Sequence, residues 1–155
     1  MAMPGAPATV MHAVNRWLAG AAAGLLTSVV IAEAILALLT LVTGNPHLLS
    51  ALTLPEAATS AAPAWLAVVW LGAATVGAAL ATAWAGQVSA ALPTVLLPAA
   101  SLYLVTWYFG QPGMVGAVVI TGPVLGGLLG IAAASTLVRS DEADAATATT
   151  SGSGI

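Results

Sequence analysis

The chain has 155 residues, of which 60% are hydrophobic and 5% charged, with a mean hydropathy of +1.04 and a formal net charge of −3. A water-soluble surface takes about 25% charged residues; two arginines, no lysine and five carboxylates cannot build one, so the exterior is expected to face lipid. The same composition excludes a basic nucleic-acid footprint, and the lack of cysteine excludes disulfides, thiolate metal sites, iron–sulfur clusters and cysteine nucleophiles.

The length fits one domain. Residues 1–12 contain Pro4, Gly5 and Pro7 without an apolar period and read as a mobile arm. An apolar run follows from about Val14 to Thr43, interrupted by Arg16 and Glu33. A span needs about 20 apolar residues, so this run can cross a bilayer with tilt. It is also too long for a cleaved signal peptide, whose apolar core is about 7–15 residues. Gly44, Asn45 and Pro46 end it. In the loop from Thr43 to Pro63, Thr53-Leu54-Pro55-Glu56 has the spacing of a capping box, which predicts a short interfacial helix.

The second span is expected over 64–85, with Pro63 in its first turn. Gly86, Gln87 and Ser89 make a turn into a third span over 88–109. Gly110–Gly113 is a turn by composition, and the fourth span covers 114–138. Residues 139–155 carry Asp141, Glu142 and Asp144 among alanine, serine and threonine, and read as a disordered acidic tail. The domain assignment is therefore an arm over 1–12, a four-helix transmembrane domain over 13–138, and a tail.

Four spans put both termini on one side. Arg16 and Arg139 flank the first and fourth spans, and the positive-inside rule makes that side cytoplasmic. Trp17 and Trp84 then fall at the inner boundary, and Trp65, Trp107 and Tyr108 at the outer one. Trp65 and Trp84 stand 19 residues apart, or ~29 Å of helix, close to the ~30 Å of a hydrocarbon core.

Helices in lipid associate where small residues let backbones approach. Gly20, Gly24, Ser28 and Ala32 form one four-residue ribbon, Ala73, Gly77, Ala81 and Ala85 a second, and Gly122, Gly126, Gly130 and Ala134 a third. The sequence leaves open whether these faces meet within one chain or between chains. Pro93 and Pro98 in the third span and Pro123 in the fourth are expected to free the carbonyls of Ser89, Thr94 and Val119. Kinks healed by nearby hydroxyls are the preferred reading over a broken helix of the transporter kind.

Glu33 is the one ionisable residue deep in any span. With no basic residue in the spans to pair with it, it is expected either as the neutral acid or beside a water-filled space. Thr75, Ser101, Tyr103 and Thr121 stand at similar depth and are the candidate partners of its carboxyl. Gluing helices together is the first reading of Glu33, and proton or ion handling the second. His12 and His47 lie outside the spans without a second ligand at useful spacing, the serines lack a histidine base at matching depth, and the glycines of GPVLGGLLG have no phosphate-loop lysine.

The segments WLGAATVGAALATAWAG (Trp70–Gly86) and ITGPVLGGLLG (Ile120–Gly130), a glutamate late in the first span and a proline-bearing first loop resemble small four-span bacterial inner-membrane proteins. The resemblance covers 14–138 and implies the topology but no activity or cofactor. The chain departs from that pattern in having no basic residue after its second span.

The reading is thus an all-α membrane four-helix bundle with both termini cytoplasmic. Its expected role is a non-catalytic accessory, scaffold or assembly subunit that packs through Gly20, Gly24, Gly77, Gly122, Gly126 and Gly130. The alternative is a small oligomeric transporter or channel using Glu33 as a proton or cation site. Expected partners are the lipid bilayer and other membrane subunits or further copies of the chain, not nucleic acid. No metal or cofactor is called for, though bound lipid is compatible with the reading.

Overall fold

The computed structural model describes residues 6–44, 50, 52–54, 56 and 59–151, with side chains described between 10 and 137. The architecture is an all-α four-helix bundle. Helix α1 is Ala6–Thr43, α2 is Ala62–Ala85, α3 is Leu92–Tyr108 and α4 is Gly113–Ser151, with a 3₁₀ turn at Val88–Ala91 leading into α3. Four stretches are long and apolar enough to cross a membrane: Val10–Thr43, Ala62–Ala85, Val88–Tyr108 and Gly113–Leu137.

The turns alternate the helix directions and bring specific ends together. Gly86 adopts φ 68°, a left-handed conformation that lets its N–H close on the Thr82 carbonyl and stop α2. Arg16 Nη2 donates to the Trp84 carbonyl at 3.2 Å, and Trp17 Nε1 to Ser89 Oγ at 3.0 Å, so the start of α1 lies beside the α2–α3 turn. At the opposite end Gln111 Nε2 donates to the carbonyls of Leu52 and Leu54 at 3.0 and 2.8 Å, tying the α3–α4 turn to the first loop.

Helix α2 is the centre of the bundle, in contact with α1 on one side and α4 on the other. Its carbonyls approach both neighbours so closely that side chains would not fit. A Cβ added at Gly24 would stand 2.5 Å from the Gly77 carbonyl oxygen, and one at Gly77 2.5 Å from that of Gly24. One added at Gly20 would meet Ala81 and Ala85 at 3.0 Å. On the far side, Cβ atoms at Gly122, Gly126 and Gly130 would collide with the carbonyl oxygens of Ala67, Leu71 and Thr75. Both series repeat every four residues, one helical turn, so α2 and α4 run parallel in register.

Residue size is uneven along the bundle. Near the α2–α3 turn the core is alanine (Ala78, Ala81, Ala91), with Ile131 against it. Toward the first loop it is bulky, with Leu36, Leu52, Leu66, Val69, Trp70, Leu102 and Val119.

The structure differs from the sequence reading at the ends and in the third span. Helix begins at Ala6, within the expected arm, because Pro7 suits a first helical turn. Helical backbone also continues to Ser151, through most of the expected tail. Extending an existing helix costs far less than starting one, and the tail is rich in alanine. Residues 1–5 and 152–155 lie outside the described residues. Pro93 sits in the first turn of α3 instead of mid-helix, and the Ser89 carbonyl that it was expected to free accepts the Leu92 N–H. Thr53 Oγ1 donates back to the Ser50 carbonyl at 2.6 Å and does not cap a following helix. Pro55, in the middle of the expected capping box, is outside the described residues.

Gly126→Ile must push Leu71 backbone away from α4. It is expected to cost more than the ~1–3 kcal/mol of ordinary overpacking and to lower the melting temperature in detergent. Gly72→Ile is the control, since nothing lies within 4 Å of a Cβ there. Equal melting of the two variants would show that the α2–α4 approach does not carry stability.

Candidate functional site

Glu33 is exposed on α1, five residues beyond the buried Ser28 and next to the buried Ala32. Gly20 and Gly24 face α2 in the same ribbon as Ser28 and Ala32. One residue of helix turns ~100°, so Glu33 falls on an adjoining face. Leu25, Val29 and Leu36 share that face at helical spacing, and together they form one wall of a lateral groove. The other wall is α3, through Leu97, Pro98, Ser101, Leu102 and Val105, and Trp70 of α2 contributes from within the bundle. The groove holds about 290 Å³.

The groove lies between α1 and α3, which touch each other little. Thr94 of α3 fills the angle between α1 and α2. A Cβ at Gly24 would be 3.0 Å from Thr94 Oγ1, and one at Gly77 2.9 Å from Thr94 Cγ2. One turn later α3 reaches Pro98, whose ring cannot donate the hydrogen bond that the Thr94 carbonyl would otherwise accept. The residues that line the groove include no glycine.

Of the expected partners of Glu33, only Ser101 shares the groove. Thr75 Oγ1 donates to the Leu71 carbonyl at 2.7 Å and Thr121 Oγ1 to the Val118 carbonyl at 2.6 Å, each within its own helix. Tyr103 is 48% exposed with its ring edge beside Gly116. Common depth did not bring these three to the groove, because depth fixes the level of a residue and not its direction around the helix.

Two residues went unnoticed in the sequence. Trp70 is 8% exposed and lies away from both expected belts, which was the available signal that it packs inside. Thr94 is fully buried and its hydroxyl has no hydrogen-bond partner, as is also the case for Thr82. Gly20, Gly24, Gly77, Gly122, Gly126 and Gly130, whose contacts the sequence left open between one chain and several, each lie against other helices of this chain. Among the described residues, no three of His, Cys, Asp and Glu come together as metal ligands do. No protein-family model, curated protein or solved structure matches the chain.

A buried hydroxyl without a partner costs about 1–3 kcal/mol. Thr94→Val keeps the methyl group against Gly77 and removes that cost. It is expected to raise stability by ~1 kcal/mol, measured as a higher melting temperature. Thr94→Ser, which discards the methyl group and keeps the hydroxyl, should lower it. The opposite order would mean that the hydroxyl is hydrogen-bonded in the membrane.

Proposed function

We infer that the chain is a multi-pass membrane protein that acts by binding, with Glu33 as the proton or cation site of a small oligomeric transporter or channel. The observation that carries this reading is the position of Glu33. Glu33 is exposed and lines the α1–α3 groove together with Pro98. An ionisable residue within a membrane span is rare and is a functional-site candidate by default. The reading includes no catalysed reaction.

The orientation that fits places both termini in the cytoplasm, as for a bacterial inner membrane. Arg16 supports it by lying against the Trp84 carbonyl, so one cation marks both the first-span boundary and the α2–α3 turn. Trp84 is exposed at that end, and Trp65, Trp107 and Tyr108 at the other. An impermeant thiol reagent applied to intact cells should label a cysteine introduced at Ser50 and spare one at Gln87. Labelling of Gln87→Cys alone would reverse the orientation.

A second reading, an accessory or assembly subunit, is supported by Gly72. That glycine is exposed on α2 with open space around it, and so offers a close approach to a partner helix.

The two readings separate at Glu33→Gln, which keeps size and loses the exchangeable proton. In proteoliposomes carrying an internal pH dye and an imposed potential, the wild-type chain should admit protons. Glu33→Gln should reduce the rate to that of protein-free vesicles with an unchanged melting temperature. Equal proton entry in both proteins would overturn the role of Glu33, whereas loss of a co-purifying subunit in Gly72→Ile would favour the second reading.

A further inference from the structure

Arg16 reaches the surface at the level of two tryptophans, Trp17 and Trp84, and a hollow opens beside the turn that it touches. We propose that this end of the bundle binds one anionic phospholipid with a polyol headgroup, of the phosphatidylglycerol kind. Its phosphodiester sits on Arg16 and its headgroup in the hollow. The site is remote from Glu33 along α1 and does not depend on the role of that residue.

The charge comes from one side chain. Arg16 is exposed, and its hydrogen bond among the described residues takes Nη2 to the Trp84 carbonyl at 3.2 Å. That bond steadies a planar guanidinium with five N–H groups and leaves the others for a ligand. Such a fork matches two oxygens of one phosphate. The sequence has no other lysine or arginine before Arg139, so a phosphate in this region has no second guanidinium to choose. A choline headgroup fits worse, because it would bring a second cation next to Arg16.

Position and lining make the anion a lipid. Gly20 lies against Ala81 and Ala85, so Arg16 stands at the end of α2 and Val10, Ala13 and Val14 extend past it. Trp17 Nε1 donates to Ser89 Oγ at 3.0 Å and Trp84 is exposed, the setting of indoles at headgroup level. On the water side of the guanidinium is the hollow, of about 270 Å³, lined by those three residues, Trp17 and Gln87. Gln87 follows Gly86, where a Cβ would stand 3.8 Å from Arg16 Nη2. Its exposed amide offers both a donor and an acceptor to the hydroxyls of a polyol, and the indole and valines take the carbon face. On the bilayer side α1 continues with exposed Leu18 and Leu26, an apolar surface for acyl chains that a free phosphate has no use for.

The test is native mass spectrometry of the full chain in mild detergent, offered phosphatidylglycerol and phosphatidylcholine with the same acyl chains. One phosphatidylglycerol should be retained in preference, by about tenfold. Arg16→Gln keeps a donor for the Trp84 carbonyl and should abolish the preference at an unchanged melting temperature. Ala13→Trp fills the hollow without changing charge, should weaken retention severalfold, and keeps the test open if Arg16→Gln does not fold. Arg139→Gln should leave the preference as it is. Equal retention of the two lipids, a preference that survives Arg16→Gln, or undiminished retention by Ala13→Trp would each overturn the proposal. So would an equal loss in Arg139→Gln, since net charge alone would then attract the lipid. Displacement of the lipid by millimolar inorganic phosphate would assign Arg16 to a soluble anion instead.

Discussion

The arrangement depends on the close approach of α2 backbone to both of its neighbours. Lipid offers apolar helices no hydrophobic reason to leave it, so contact has to come from packing. Here α2 is flanked by the Gly24–Gly77 crossing on one side and by three successive glycines of α4 on the other. Two helices are thereby fixed to a third, and α3 takes the remaining position. It is held by short turns, by Val95 packed against Gly127 and by Thr94 wedged at the crossing. The groove is what this leaves over, because α3 follows α4 along its length and touches α1 little.

How much of this was legible in the sequence depends on the kind of information each feature needs. Membrane-length helices require only apolar length, and all four were readable from it. The ribbons were visible as spacing, but spacing names a face and not its partner. Gly122, Gly126 and Gly130 face Ala67, Leu71 and Thr75, a series with no glycine that no small-residue search selects. The 3₁₀ turn over Val88–Ala91 overlaps the expected start of the third span at residue 88, so Pro93 was assigned to mid-helix when it begins one. Glu33 stood out as a lone acid in a span. Its surroundings did not, since Trp70 and Pro98 come from helices whose rotation only the packing sets.

Arg16 shows the same gap between chain order and space. The turn after α2 lacks a basic residue of its own, which set the chain apart from the four-span proteins that it resembles. The cation arrives from α1 instead and donates to the Trp84 carbonyl, one of the last carbonyls of α2. A positive charge is favoured there by the helix dipole as well as by the hydrogen bond. Loop charges counted along the sequence miss a contribution made across 68 residues.

The location of the acid follows from the gradient in side-chain size. In the half near the α2–α3 turn, glycine and alanine bring the helices into backbone contact, and even the Thr94 hydroxyl is closed in without a partner. A carboxyl at Ser28 would press on Gly77, where a Cβ would already stand 2.9 Å from that of Ser28. Moving five residues along α1 changes two things at once. It leaves the face that meets α2, and it enters the half where leucine and tryptophan hold the helices apart. Glu33 therefore occupies the part of α1 where a long polar side chain can be accommodated without breaking the crossing that the bundle depends on.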